Sequence, residues 1–309
     1  MRWVCYADQG NDRIGLIIDD RIHAVSGVTQ LIDLLGDDGE RMAAAAEQAR
    51  HDPADVVDLA HVTLRAPVPT PPSIRDFMAF EEHVVNSRAQ AGATIDPDWY
   101  ELPVFYFTNP AAVHGPTQEV AVPPGCSRFD YELEVAAVVG RGGSDLTPDQ
   151  AEAHIAGYTI MCDWSARDLQ ARELAQRLGP AKGKDSATTL GPWLVTPDEL
   201  ADRRSGLGFD LRMTASVNNR QYTEGNWSTV YWSFAQMLAY ASRGTVLRPG
   251  DVFGSGTVGR GCILELSRLF GEVEYPWLIP GDHVRLTVER LGHVSARVAP
   301  GLGNPAPLR

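Results

Sequence analysis

Two glutamates separated by one residue, Glu132 and Glu134, stand in the segment Phe129-Asp-Tyr-Glu-Leu-Glu-Val-Ala-Ala-Val-Val139. The run reads as a strand, in which side chains alternate between faces. Tyr131, Leu133 and Val135 therefore point one way, while both carboxylates share the other face with Ala136 and Val138. Carboxylates held together at a buried edge repel each other and are costly to desolvate unless a positive charge lies between them. Hard oxygen donors of this kind suit Mg²⁺, Mn²⁺ or Ca²⁺ better than zinc. A strand end whose glutamates reach water is the competing reading, because glutamate is seldom fully buried.

Asp163 is a third candidate donor, since it closes the apolar run Tyr158 to Cys162 just before the helix signal Ser165-Ala-Arg-Asp168. A third carboxylate would leave a bound cation with open positions for substrate oxygens. Asp163 could equally be a helix-start residue satisfying backbone donors. His83 follows Asp76 by two helical turns in a stretch that reads as helical, which would put both on one face and make His83 a candidate general base. Most of the eight histidines should be structural or exposed. Lys184, in a segment rich in glycine and small hydroxyl residues, can steady an oxyanion or be one more solvated charge, as Lys182 is expected to be. Gly254-Ser-Gly-Thr-Val-Gly259 matches a dinucleotide fingerprint by letter, but no alternating βαβ pattern surrounds it and no good helix is expected after it. It reads as a turn whose amides line a site.

The elements that must position these groups begin with short strands, Trp3 to Ala7, Ile14 to Ile18 and Ile22 to Val25, and two helical stretches, Gln30 to Leu35 and Glu40 to Arg50. Prolines 67, 69, 71 and 72 then mark the best boundary, between residues 64 and 73. A small α/β accessory domain over 1–66 and a main domain over 67–309 follow. Beyond the boundary, Asp76 to Gln90 is expected to be at least partly helical, and the polar stretch Ala91 to Pro103 to be a surface loop able to act as a lid. Thr147-Pro-Asp-Gln150 predicts a capped helix ending at Gly157, and Asp168 to Leu178 another. The remainder reads as strands, with a hairpin at Val217-Asn-Asn-Arg-Gln221 and one helix over Ser233 to Ser242.

Composition sets outer limits. A chain of 309 residues can bury a large core, and a net charge of −13 argues against general affinity for nucleic acid or anionic membrane. Four scattered cysteines without a CxxC pair, no apolar signal segment and no bilayer-length apolar run point to a cytoplasmic protein.

Taken in order, these motifs resemble the fumarylacetoacetate hydrolase family from about Ile74 to Leu286. The Asp-Tyr-Glu-x-Glu block is similar to the family's metal-binding strand, so the resemblance implies Glu132 and Glu134 as ligands, with Asp163 and Asp76 completing the set. It further implies His83 as catalytic base, Glu265 in Leu264-Glu-Leu-Ser267 as its orienting partner, Lys184 as catalytic lysine and Gln170 as hydrogen-bond donor to substrate. Tyr106 and Thr257 fall on the substrate side with Gln170 and Lys184. The implied fold is α+β, mostly β: a twisted mixed β-roll catalytic domain with a small N-terminal α/β accessory domain. The implied cofactor is a divalent cation, Mg²⁺ first and Mn²⁺ or Ca²⁺ next, in a homodimer. The implied reaction is C–C hydrolysis of a β-diketone or acylpyruvate-type 2-oxo acid through a metal-bound enolate. An oxaloacetate-type decarboxylase, a keto–enol tautomerase or isomerase, and a catalytically silent ligand-binding or scaffold protein are the alternatives. Three departures, Met78, Ala79-Phe80 and Thr108-Asn109, stand where family members carry tyrosine, Asn-Tyr and lysine. They fall beside the substrate and point away from fumarylacetoacetate itself.

Overall fold

A computed structural model of the chain describes residues 1–8, 10–88 and 94–303. Strands dominate, with short helices between them. The largest sheet runs in the order Val56–Asp58, Arg21–Ala24, Asn11–Ile18, Arg2–Asp8, Thr188–Val195, Ile155–Asp163, Leu133–Val139, Val252–Gly254, Ile74–Phe77 and Phe105–Thr108. The N-terminal strands therefore continue directly into the sheet that carries Asp163, through Arg2 opposite Val195 and Trp3 opposite Leu194. A second, five-stranded sheet pairs Arg220–Asn226, Arg212–Val217, His283–Val288, Gly292–Ala299 and Val120–Ala121.

The strand Leu133–Val139 is buried along its whole length, and its alternation splits the interior in two. Tyr131, Leu133, Val135, Ala137 and Val139 enter the larger core with Trp164, Trp227 and the second sheet. Ala136 and Val138 enter a smaller core with Trp3, Leu16, Met42 and Val252. Glu132 and Glu134 lie on this second face, as the alternation requires, but the strand is interrupted before them. Phe129–Asp130 pairs separately with Ser165–Ala166, and Glu132 makes only an isolated bridge to Cys262.

Local chemistry accounts for several elements. Thr147 and Gln150 form a reciprocal capping box, as do Ser233 and Gln236 ahead of Phe234–Ala241. Asn218 and Asn219 adopt positive φ at the hairpin tip, the conformation a two-residue turn demands. Four expectations need correction. Asp76 lies on the strand Ile74–Phe77 and not on a helix with His83, which is carried by the separate helix Glu81–Arg88. A spacing of seven fits a helix face and a strand–turn–helix alike, and the parallel pairing of Asp76 with Gly254 decides it. The capped helix after Thr147 ends at Glu152, so that Gly157 lies inside Ile155–Asp163. Ser165 does not cap the helix Arg167–Leu174; its hydroxyl bonds the Asp163 carbonyl, and that helix stops four residues short of Leu178. A strongly amphipathic helix, Ile263–Phe270, does follow the glycine-rich turn. Of the expected lid, residues 91–93 lie outside the described residues. The rest holds a short 3₁₀ turn, Pro97–Tyr100, pinned by the indole of Trp99 donating to the Met78 carbonyl at 2.9 Å.

Candidate active site

Asp163 and Glu134 come from the adjacent strands Ile155–Asp163 and Leu133–Val139, Asp76 from Ile74–Phe77 beyond the intervening Val252–Gly254, and Glu132 from the isolated bridge just before Leu133–Val139. An oxygen of each lies within 4.8 Å of one from every other, and all four residues are buried. Four carboxylates at this spacing repel with on the order of 4 kcal/mol per pair at an effective dielectric of 20, well beyond what an ordinary surface ion pair offsets. Their surroundings compensate unequally. Glu132 accepts from Arg167 Nη2 at 2.7 Å and is bonded by Lys184 Nζ, which also reaches Asp163 Oδ2 at 2.6 Å. Arg167 Nε in turn bonds Asp130 at 2.8 Å, and Asp130 also accepts from the amides of Ile263 and Leu264 at the start of their helix. Tyr106 donates its hydroxyl to Asp163. Glu134 receives one hydrogen bond, from the Gly256 amide at 3.1 Å.

These differences set the proton affinities. Burial pushes Glu132 up, but Arg167 and Lys184 outweigh it and hold the carboxyl below the usual range. Burial, then the charges of Asp76 and Glu132, push Glu134 well above that range. Asp76 is pushed up to about 8 by burial and by Asp163. Asp163 is raised by burial, with Lys184 pulling it back. Burial would lower Lys184, yet Asp163 and Glu132 raise it. Arg167 is likewise held up against burial by Glu132 and Asp130.

One oxygen each of Asp76, Glu134 and Asp163 is buried with no hydrogen-bond partner. Orphaned acceptors at this depth are exceptional, and three within one carboxylate cluster fit a hard cation with oxygen ligands. The donor set of carboxylates alone, without sulfur or imidazole, matches Mg²⁺, Mn²⁺ or Ca²⁺.

Beside this cluster, His83 Nδ1 lies 2.7 Å from Glu265 Oε1. The carboxylate accepts, so in the neutral imidazole Nδ1 carries the proton and Nε2 the lone pair. Glu265 is completely buried and also accepts from Asn86 at 3.0 Å and the Arg260 amide at 2.9 Å. His83 and, from the cluster, Asp76, Glu132 and Glu134 line one cavity of about 560 Å³, which Tyr106, Gln170, Thr257 and Lys184 also line. Gln170 Oε1 accepts from Arg167 Nη1 at 3.2 Å, leaving its amide group free to donate. The glycine-rich turn supplies room and not phosphate binding. A Cβ at Gly254 would run into Asp76 Oδ1 and lie 2.9 Å from Glu134 Oε2, and one at Gly256, whose φ is +75°, would strike the Phe77 carbonyl.

The sequence-predicted site residues therefore gather at one cavity: all line it except Asp163, which joins through the carboxylate cluster, and Glu265, which lies behind His83. Asp130 and Arg167, the ion pair beneath Glu132, were not singled out from sequence. An arginine inside a helix-start motif gives no local sign that it turns inward.

The profile of the fumarylacetoacetate (FAA) hydrolase C-terminal family matches residues 73–299. The 2,4-didehydro-3-deoxy-L-rhamnonate hydrolase of Sphingomonas sp. (strain SKA58) is 29% identical over 302 residues, 94% of either chain. Rice fumarylacetoacetase is 32% identical over 246 residues, 62% of this chain, and the match spans only 57% of that enzyme's length. In architecture the chain is similar to the maleylpyruvate hydrolase of Sphingobium sp. SYK-6, crystallised with manganese(II) and pyruvate. The TM-score is 0.73 at 24% identity, over 97% of this chain and all of that one. With more than half its length matched by one profile, and with a buried carboxylate cluster and a His–Glu pair on one cavity, the chain belongs to the fumarylacetoacetate hydrolase family of enzymes.

Proposed function

We propose that the protein is a cation-dependent hydrolase that cleaves a C–C bond in an acylpyruvate-type 2-oxo acid or related β-diketone. The observation that carries this reading is that the Glu265-held His83 lines the same cavity as Asp76 and Glu134, beside the cluster in which one oxygen each of Asp76, Glu134 and Asp163 is orphaned. Asp76, Glu132, Glu134 and Asp163 would hold the divalent cation, which when bound supplies Lewis acidity toward substrate oxygens.

The chain's own groups cover the rest of the reaction. His83 Nε2, with Nδ1 fixed by Glu265, accepts a proton from water as it attacks the distal carbonyl. Glu265 stabilises the resulting imidazolium across 2.7 Å. Lys184 Nζ and the Gln170 amide stand on the same cavity as donors for the oxyanion of the tetrahedral intermediate. Breakdown of that intermediate releases a carboxylic acid and a pyruvate-type enolate, and the proton held by His83 returns to the departing carbon. The relative named for a 2,4-didehydro-3-deoxy sugar acid supports this class of substrate. Mg²⁺ as resident cation and a homodimer rest on the family resemblance, and a cytoplasmic location on the scattered cysteines and the composition.

The test is turnover with Mg²⁺ or Mn²⁺ on acylpyruvates, β-diketones and oxaloacetate, followed by loss of enol absorbance and by product analysis. Carboxylic acid plus pyruvate supports hydrolysis. Carbon dioxide release, or tautomerisation without cleavage, reassigns the reaction to a neighbouring chemistry of the same site.

A further inference from the structure

Three cations line the cavity: Lys184, Arg167 and Arg268. Lys184 is bound to Glu132 and Asp163, and Arg167 to Asp130 and Glu132. Arg268 is different. It lies one helical turn beyond Glu265 on Ile263–Phe270, on the same face, and so borders the cavity beside the His83 partner. Among the described residues no carboxylate lies within 4 Å of it, and its hydrogen-bond partner there is the main-chain carbonyl of Ser87. No aspartate or glutamate occurs among the remaining residues, 9, 89–93 and 304–309. Burial, and then the charge of Arg167, hold its guanidinium below the usual value, as expected of a cation short of anions.

The cavity that Arg268 lines also carries the apolar side chains of Leu174, Ala171, Pro180 and Leu264. A guanidinium presents five donors in a planar fork and is satisfied best by a carboxylate. A half-buried one on a cavity wall, with a single carbonyl as partner, leaves most of those donors for a ligand.

We propose that Arg268 is a specificity-determining residue that reads a carboxylate at the far end of the substrate's acyl arm. The preferred substrate is then an acylpyruvate with two acidic ends, its 2-oxo acid head at the carboxylate cluster and its tail at Arg268. This rests on the hydrolase reading above for the head group and adds the identity of the tail.

The experiment uses the full chain loaded with Mn²⁺, comparing the native protein with Arg268→Met and Arg268→Lys. Succinylpyruvate and butyrylpyruvate differ only in the terminal carboxylate. The native enzyme should favour succinylpyruvate, and in Arg268→Met the ratio of the two kcat/KM values should fall by about 10- to 100-fold, mostly through KM. Arg268→Lys should keep part of the preference, which a merely structural loss would not. Calorimetric binding of 2-oxoadipate and 2-oxohexanoate supplies a readout independent of turnover. If no acylpyruvate is cleaved but 2-oxoadipate binds more tightly in the native protein alone, the hydrolase reading fails and the role of Arg268 stands. Equal affinity for both acids in the native protein, or a ratio unchanged in Arg268→Met, overturns it.

Discussion

Glu132 and Glu134 stand two residues apart on one face of the sheet, yet one is clamped between two cations and the other holds a single amide. The consequence is a division of labour. Arg167 and Lys184 favour the charged form of Glu132, whereas burial and the neighbouring acids favour the protonated form of Glu134, so that a cation bound there would compete with a proton.

Replacing the two glutamates should therefore have unlike effects on stability. Glu132→Gln breaks buried ion pairs with Arg167 and Lys184, and should cost about 3 kcal/mol along with Mn²⁺ uptake and turnover. Glu134→Gln removes a poorly paired acid from the interior. It should leave the metal-free protein as stable or up to about 2 kcal/mol more so, while weakening Mn²⁺ binding. Denaturant melts with and without EDTA, beside calorimetric titration, separate these outcomes; full activity in Glu132→Gln contradicts the ligand assignment.

Stability without metal should depend on pH in a defined sense. Asp76 and Glu134 have folded values above their unfolded ones, so the stability they contribute is complete below the unfolded value and is lost as pH rises through the folded value, about 8 for Asp76. Glu132, held low, stays ionised across that window. The Tm of EDTA-treated protein should fall between about pH 5 and about pH 8, and the gain in Tm on adding Mn²⁺ should widen over the same range, since protons and cation compete for the same oxygens. A gain that does not vary with pH contradicts this account.

His83→Gln and Glu265→Gln should reduce kcat by about 10²- to 10⁴-fold, because both remove the base or its alignment. Neither residue belongs to the carboxylate cluster, so Mn²⁺ affinity should stay within about threefold of native. A parallel collapse of Mn²⁺ binding would place His83 among the ligands instead.

Gly254→Ala tests how closely the backbone must approach the acids. The added methyl meets Asp76, Glu134 and Met161 Cε, the last two at 2.9 and 2.8 Å, and no flexible surface group can yield. Mn²⁺ affinity should drop by more than about tenfold with a loss of about 1–3 kcal/mol in stability. Unchanged values for both would show that the site has slack there.

Much of this site was legible because its information is local. Alternation placed Glu132 and Glu134 on one face, the capping box at Thr147 fixed a helix start, and Asn218-Asn219 fixed a hairpin. What was not legible is what distant pairing decides. Asp76 is held in a strand by Val252–Gly254, nearly two hundred residues away in sequence, and nothing near Asp76 encodes that partner. Arg167 turns inward because Asp130 and Glu132 await it, and the helix Ile263–Phe270 was hidden behind a turn that drew attention to its glycines.

The strand Thr188–Val195 serves two masters. Thr188 pairs with Asp163 at one end, and Leu194 and Val195 pair with the N-terminal strand at the other. A polypeptide trimmed to begin at residue 67 would expose those last amides and carbonyls as a raw sheet edge. It would also bring Ala136, Val138, Met161 and Leu190 into water. Such an edge is a template for self-association. In this protein the first strands act as a selvedge, and the soundness of the catalytic sheet depends on keeping them.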